Sequence, residues 1–189
     1  KLALPLAAAA LIVAGCSSST TESETNTSAA PIESCSFDET VDGVTAIQEG
    51  EGDPGNLDTD GNTELTVAKG AKPPKELVKV DLCEGVGEAA VPTDTVVVDY
   101  VGVGYDSREV FDSSFQRGEP AEFPLNGVIP GWTEGVTGMK PGGARLLLIP
   151  ADKAYGAQGA PPAIKPNESL AFIVELQEIK PAVSDPAAS

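Results

Sequence analysis

Apolar and polar residues alternate with a period of two along several short segments in the second half of the chain. In "ELVKVDLC" (residues 76–83), Val78, Val80 and Leu82 alternate with Lys79 and Asp81, which is typical of a half-buried β-strand. "TVVVDYVGV", "REVFDSSF" and "AEFPL" are further strand candidates, and the continuous apolar run of "ARLLLIP" predicts a buried strand. The pattern therefore predicts a chain built mainly from antiparallel strands.

The last strand candidate, "SLAFIVELQEI" (residues 169–179), also alternates. Because successive side chains of a strand point to opposite faces, every second residue is expected to share an environment. The residues expected to face the core are Leu170, Phe172, Val174 and Leu176. On the same reasoning, Glu175 and Gln177 are expected to face outward.

One short segment has a helical pattern instead. In "VIPGWTEGVTGMKPGG" (residues 128–143), Trp132, Val136 and Met139 recur at intervals of four and three, so they share one helix face. Pro130 suits the first turn, where its missing N–H has no helical partner, and "KPGG" ends the helix. A sheet with one short helix packed against it predicts an α+β fold.

Residues 1–16, "KLALPLAAAALIVAGC", follow a different pattern. A lysine, an apolar run and small residues precede Cys16, which is the layout of a secretory signal. "VAGC" resembles the bacterial lipobox, so residues 1–15 are predicted to be a signal peptide and Cys16 a lipidated residue that anchors the protein to the cell membrane, outside the cytoplasm. An ordinary signal peptide with an incidental cysteine is the alternative.

Two further segments precede the strand-rich part. Residues 16–34 are rich in Ser and Thr without apolar periodicity, and we expect a disordered tether. Residues 35–75 form an acidic, turn-rich extension in which "GVTAIQ" and "ELTVAK" are candidate short strands, and no chemistry is assigned to it. The formal net charge of −17 argues against nucleic acid as a partner, because phosphate binding needs clustered Lys and Arg.

Two cysteines remain after Cys16, namely Cys35 and Cys83. An even pair outside the cytoplasm indicates a disulfide, here one that joins the extension to the first main strand. A pair of buried thiols is the alternative.

The motifs "YVG", "VFDSS", "VIPGW", "EGV", "MKPGG", "AYG" and "LAFIVEL" occur in this order between residues 76 and 180. In their order and spacing they resemble the FKBP-type peptidyl-prolyl isomerases, over more than half of the chain. The resemblance implies a strongly bent antiparallel β-sheet wrapped around one short α-helix, with an apolar cleft for a proline ring between them. Residues 181–189 are then expected to be a disordered tail.

The resemblance also implies the roles of individual residues. Trp132 is the expected floor of the cleft, and Tyr155 the hydroxyl donor at its rim. Asp112 is the expected buried carboxylate beside it, with Arg117 as its partner. The expected walls are Tyr100, Phe111, Phe123, Val128, Ile129 and Phe172, with Ile164 as a further contact. Of these, Tyr155, Asp112, Phe111, Tyr100 and Phe172 are expected to be the catalytic residues, and the others to bind substrate.

Some positions depart from the family pattern. Ala121 stands where an aromatic residue often closes one side of the cleft, and Ala160 where many members carry a larger group. Pro161, Pro162 and Lys165 also make the loop after "AYG" locally different. These departures bear on substrate preference and macrolide affinity more than on activity.

The chain contains no histidine, which excludes a Ser–His–Asp hydrolase and a zinc site built on histidine. Isomerisation of an X–Pro bond needs neither proton transfer nor a metal or cofactor, and none is expected. The leading hypothesis is therefore a monomeric prolyl isomerase acting on proline-containing unfolded or exported polypeptides, with macrolides such as tacrolimus as further ligands.

Four alternatives stay open at this point. The cleft could hold proline segments without turnover, as a binding module or chaperone, or the protein could be a surface lipoprotein that keeps the fold without activity. Tyr155 could be a structural tyrosine bonded to backbone, and Asp112 and Arg117 could form a purely structural pair.

Overall fold

A computed structural model of the protein describes residues 36–48 and 63–182. The strands are β1 (Phe37–Val41), β2 (Val44–Gln48), β3 (Thr63–Val67), β4 (Val78–Cys83), β5 (Thr95–Gly104), β6 (Val110–Ser113), β7 (Ala121–Pro124), β8 (Ala144–Ile149) and β9 (Leu170–Lys180). The α-helices are α1 (Ser114–Arg117) and α2 (Pro130–Val136), and two 3₁₀ turns follow β8, at Ala151–Lys153 and Gly156–Gln158.

The main sheet is antiparallel, with the strand order β4-β8-β9-β5-β6, and β7 also pairs with β5. The longest pairing joins β5 to β9, and its register places Tyr100 opposite Val174. The register shifts between Val97 and Val98 on this pairing, and between Gly102 and Val103 where β5 meets β6. Such irregularities bend a strand and increase its twist, which lets the sheet curve around a helix.

Helix α2 packs against one face of the main sheet. Pro130 occupies its first turn, as predicted, and Trp132 and Val136 are buried toward the sheet. The helix ends at Val136, earlier than the predicted end at "KPGG", so Met139 lies after the helix and not on its face, but it is buried in the same apolar cluster. The predicted α+β fold, a bent antiparallel sheet around a short helix, is confirmed.

The opposite face of the main sheet is covered by a second, three-stranded antiparallel sheet, β1-β2-β3. We call the apolar cluster between the two sheets the back cluster. Its members are Phe37, Val44, Ala46, Leu65, Val67, Val101, Val103, Tyr105, Ala144, Leu146, Leu148, Ala171 and Ile173. Both faces of β8, and of β9 from Leu170 to Leu176, are therefore buried, which explains why "LLLI" and "LAFIV" are continuously apolar.

This second layer corrects one prediction. Glu175 was expected to face outward, but its exposed fraction is 0% because the small sheet covers that face of β9. Gln48 Nε2 and Thr63 Oγ1 donate to Glu175 Oε1 at 3.4 and 3.3 Å. Alternation along β9 identified the two faces correctly and could not show that both are covered.

The segment "REVFDSSF" was expected to be one strand, and only Val110–Ser113 is extended. The Ser113 side chain accepts a hydrogen bond from the backbone N–H of Gln116 at 3.3 Å, and this N-cap starts helix α1. Gly118 ends the helix in the left-handed conformation, with φ of 72°. Strands β2 and β3 match the candidates "GVTAIQ" and "ELTVAK", whereas β1 was not predicted.

Several predictions lie outside the described residues. They are the signal peptide, the lipidated Cys16, the tether, most of the acidic run between β2 and β3, and the end of the C-terminal tail. Cys83 is disulfide-bonded in the structure, and its predicted partner, Cys35, also lies outside the described residues. Among helices within residues 36–48 and 63–182, none is long and apolar enough to span a membrane.

Candidate active site

An open cleft of about 310 Å³ lies between helix α2 and the concave face of the main sheet. Its lining residues are Tyr100, Phe111, Asp112, Phe123, Gly127, Val128, Ile129, Trp132, Tyr155 and Phe172. They come from strands β5, β6, β7 and β9, from the turn before α2 and α2 itself, and from the turn after β8. The lining is mostly apolar, and its polar side-chain groups are the hydroxyls of Tyr100 and Tyr155 and the carboxylate of Asp112.

Trp132 forms the centre of this cleft, and its side chain is only 4% exposed. Its ring lies edge-to-face against Tyr100, Phe123 and Phe172, and each pair of ring centroids is 5.4 Å apart. Such contacts between aromatic rings hold each ring in a defined orientation. Trp132, which was predicted to be the floor of the cleft, therefore contacts three of the side chains that were predicted to form its walls.

A second ring contact closes the cleft beside Trp132. Phe111 and Phe172 meet edge-to-face with their centroids 5.5 Å apart. Gly102 of β5 lies beneath both rings, and a Cβ atom there would be 2.6 Å from Phe111 Cζ and 2.7 Å from Phe172 Cε1. A side chain at position 102 would therefore push the two rings apart.

Tyr100, Asp112 and Arg117 form a closed hydrogen-bonded group at the edge of the cleft. Asp112 was expected to be buried, but its side chain is 44% exposed because it lies at this edge. The Tyr100 hydroxyl donates to Asp112 Oδ2, and Arg117 Nη1 donates to Asp112 Oδ1. Arg117 Nη2 donates to the Tyr100 hydroxyl at 3.1 Å, and its guanidinium carbon lies 5.5 Å from the centroid of the Tyr100 ring. Burial, and then the hydrogen bond to Asp112, raise the pKa of Tyr100 to about 12. The tyrosine therefore stays neutral, and Arg117 balances the charge of Asp112.

Behind this edge, hydrogen bonds among Asp99, Ser114 and Gln177 hold helix α1 in place, and this helix carries Arg117. Ser114 Oγ donates to Asp99 Oδ1 at 2.8 Å and accepts a hydrogen bond from the backbone N–H of Tyr100 at 2.8 Å. Gln177 Nε2 donates to Asp99 Oδ2 at 3.1 Å. Burial raises the pKa of Asp99 above its usual value, against the effect of these hydrogen bonds. Asp99 and Ser114 were not predicted from the sequence, although the N-cap residue Ser113 was an available signal for the start of helix α1.

The structure brings together most of the residues predicted for the site and places two of them apart from it. Arg117 reaches Asp112 and Tyr100 but does not line the cleft. Ile164 is buried in the core cluster behind the cleft instead of lining it. Gly127, in the turn before α2, lines the cleft and was not predicted.

Tyr155 stands at the rim, and its side chain is 42% exposed. Within the described part of the chain its hydroxyl makes no hydrogen bond, so the geometry does not support a structural bond to backbone. The hydroxyl is available to a ligand in the cleft. The arrangement as a whole can bind an apolar ring on Trp132 and offer one hydroxyl donor beside it.

Comparison with known proteins adds independent information. The model of the FKBP-type peptidyl-prolyl cis-trans isomerase family matches residues 87–177, which include every residue that lines the cleft. The chain is 54% identical over 98 residues to the FKBP-type peptidyl-prolyl cis-trans isomerase FkpA of Escherichia coli (strain K12). That match covers 52% of this chain and 36% of the length of FkpA.

Two shorter relatives are matched along most of their length. The FK506-binding protein of Streptomyces anulatus is 47% identical over 110 residues, which cover 57% of this chain and 89% of that protein. A probable FK506-binding protein of Corynebacterium glutamicum is 47% identical over 103 residues, which cover 54% of this chain and 86% of that protein. The likeness therefore extends over most of the length of these two relatives and is not confined to isolated motifs.

Among solved structures, the crystal structure of FkpA from Escherichia coli superposes with a TM-score of 0.54 and 49% sequence identity. This superposition covers 61% of the present chain and 54% of the FkpA chain. With the cleft, the ordered motifs and the relatives in agreement, the chain belongs to the FKBP-type peptidyl-prolyl cis-trans isomerase family.

Proposed function

We propose that the protein is a peptidyl-prolyl cis-trans isomerase that acts on proline-containing segments of unfolded or exported polypeptides. The observation that carries this proposal is the cleft on Trp132, where aromatic rings surround a space of about 310 Å³. Family membership and relatives named as isomerases support the same activity. The cleft suits a proline ring because its lining is mostly apolar and it is open to solvent.

Rotation about an X–Pro bond is slow because it breaks amide resonance, at a barrier of about 18–20 kcal/mol. The planar amide is more polar than the twisted one, so water favours the planar form. A cleft that removes water from the amide and holds the proline ring therefore favours the twisted form. An acceleration of about 10⁴ requires about 5.5 kcal/mol of such differential stabilisation.

Each side chain has a proposed part in this process. Trp132, Phe111 and Phe172 bind the proline ring and exclude water, and the pair of Asp112 and Arg117 keeps the cleft edge without net charge. The Tyr155 hydroxyl donates a hydrogen bond to a carbonyl oxygen of the bound segment. No step in this scheme transfers a proton.

The direct test is NMR exchange spectroscopy of the cis and trans forms of a short X–Pro peptide, with and without the purified protein. We expect acceleration that tacrolimus (FK506) abolishes, as the names of the Streptomyces and Corynebacterium relatives suggest. A folded protein that binds the peptide without accelerating exchange would instead support a proline-binding module or chaperone.

Tyr155→Phe tests the hydroxyl at the rim. We expect kcat/KM to fall about fivefold, since one hydrogen bond contributes about 1 kcal/mol, and the free energy of unfolding to stay unchanged because the side chain is exposed.

Tyr105→Phe is the matched control, because it removes the same atom from the back cluster. The Tyr105 hydroxyl is buried and has no hydrogen-bond partner within the described residues. We expect this variant to keep full turnover. Equal turnover of both variants would contradict a role for Tyr155.

We also propose that lipid on Cys16 anchors the protein to the cell membrane, outside the cytoplasm. Its substrates would then be exported polypeptides. The support for this location is the sequence "VAGC" at residues 13–16. Mass spectrometry of the membrane-bound protein tests it. We expect an acylated Cys16, and release of a Cys16→Ser variant into the soluble fraction. An unmodified Cys16 in membrane-associated protein would contradict the anchor.

A further inference from the structure

Glu168 lies where two loops meet, just before β9, and its side chain is only 1% exposed. We call residues 105–109, between β5 and β6, the hairpin loop, and residues 159–167 the rim loop. Glu168 Oε1 accepts hydrogen bonds from the backbone N–H groups of Asp106 and Ser107 in the hairpin loop, at 3.1 and 2.8 Å. Its Oε2 accepts one from the backbone N–H of Lys165 in the rim loop, at 2.8 Å. One carboxylate therefore joins two segments that are about 60 residues apart in the sequence.

The end of β5 leaves room for this carboxylate. A Cβ atom at Gly104 would lie 2.3 Å from Glu168 Oε1 and 2.3 Å from Ser107 Oγ. Any side chain at position 104 would displace the carboxylate from the hairpin loop. The hydrogen bonds between Glu168 and the hairpin loop therefore require a glycine at position 104, at the end of β5, as well as the glutamate that precedes β9.

The carboxylate is ionised at neutral pH. Burial raises the pKa of Glu168, but hydrogen bonds from Lys165, Ser107 and Asp106 outweigh burial and hold the pKa below its usual value. Hydrogen bonds to an ionised acceptor are about twice as strong as those between neutral groups. The charged side chains on the two loops are Asp106, Arg108, Glu109 and Lys165.

Both loops lead directly to the cleft. The hairpin loop continues into β6, which carries Phe111 and Asp112. In the rim loop, Lys165 follows Ile164, whose side chain is buried in the core behind the cleft. The backbone N–H of Asn167 donates to the carbonyl of Gly156 at 2.8 Å, which ties the rim loop to the residue after Tyr155. The hairpin loop therefore adjoins the strand that carries Phe111 and Asp112, and the rim loop adjoins the turn that carries Tyr155.

We propose that Glu168 is a positioning residue, whose carboxylate fixes the hairpin loop and the rim loop relative to each other and so sets the separation of the cleft walls. It does not touch the substrate. Its kinetic consequence rests on the proposed isomerase function, whereas its effect on the two loops does not.

Glu168→Gln is the informative variant, because the amide keeps the size of the side chain but has only one oxygen acceptor. Its NH₂ group would face a backbone N–H of one of the two loops. Because two donors cannot form a hydrogen bond, that loop would lose its bond to residue 168. We expect hydrogen exchange of the Asp106, Ser107 or Lys165 amides to become at least about tenfold faster, and the Ile164 methyl resonances to shift. We expect kcat/KM for X–Pro exchange to fall about tenfold, mainly through a higher KM, because displaced walls bind the proline ring less well.

Two control variants separate positioning from general destabilisation. Glu88→Gln removes the same charge at an exposed site and should leave every readout unchanged. Leu148→Ala creates a cavity in the back cluster and should lower the free energy of unfolding more than Glu168→Gln does, with KM and the loop amides unchanged.

The outcomes separate this inference from the proposed function. If the natural protein does not accelerate X–Pro exchange, the isomerase proposal fails, and the amide exchange and Ile164 resonances still decide the role of Glu168. Unchanged protection of the amides of both loops in Glu168→Gln would overturn the inference. An equal rise of KM in Leu148→Ala would also overturn it, because loss of stability alone would then explain the effect.

Discussion

Trp132→Ala is expected to lower the free energy of unfolding by about 3–5 kcal/mol and kcat/KM by about a hundredfold. The stability loss follows from the position of Trp132, since its side chain is 4% exposed and contacts the rings of Tyr100, Phe123 and Phe172. The catalytic loss follows because the same ring is the surface on which the proline ring would lie. Urea unfolding followed by circular dichroism measures the first, and NMR exchange of an X–Pro peptide measures the second.

Leu148→Ala is the matched control for this variant as well. Leu148 is fully buried, but it belongs to the back cluster, on the other face of the main sheet. We expect it to lose about 2–5 kcal/mol of stability with turnover unchanged, under conditions where both variants are folded. Trp132→Phe, which keeps an aromatic floor, should retain more activity than Trp132→Ala. Full turnover in a folded Trp132→Ala protein would refute the assignment of the cleft.

Leu65→Asp is expected to cause the second large effect, a loss of about 4 kcal/mol of stability without a change in the activity of the folded molecules. Leu65 is 4% exposed in β3 and packs into the back cluster, so the variant places an unpaired carboxylate in an apolar environment. We expect the small sheet to detach from the main sheet and expose apolar surface. Urea unfolding measures the stability, and binding of the dye ANS reports the exposed surface.

The neighbouring residue provides the control for this prediction. Glu64 precedes Leu65 on the same strand and is exposed, so Glu64→Gln should leave stability and dye binding unchanged. The cleft lies on the opposite face of the main sheet, so kcat/KM of Leu65→Asp should stay normal at temperatures where it is folded. Unchanged stability of Leu65→Asp would contradict packing of the extension against the main sheet, and a specific loss of kcat/KM would show that the extension also shapes the cleft.

Local sequence patterns were sufficient for much of the fold and for most of the cleft. Alternation, and for β8 a continuous apolar run, identified most strands of the main sheet, and Pro130 marked the start of helix α2, which ends at Val136, before "KPGG". The ordered motifs, through their resemblance to a family, indicated the residues that line the cleft, except Gly127. These features could be predicted because the signals lie within short segments and because the same residues build both the core and the cleft.

Local patterns thus predicted the fold class, helix α2 and the strands other than β1, and the family resemblance predicted the aromatic cleft, whereas β1 and helix α1 were not predicted. The burial of Glu175, the bonding of helix α1 by Asp99 and Ser114, and the joining of two loops by Glu168 became visible only in the folded protein. Each of these polar groups is positioned by partners distant in the sequence, such as Gln48 for Glu175 and Asp106 for Glu168. Periodicity along a strand shows which side chains share a face, but whether another layer covers that face depends on how the whole chain folds.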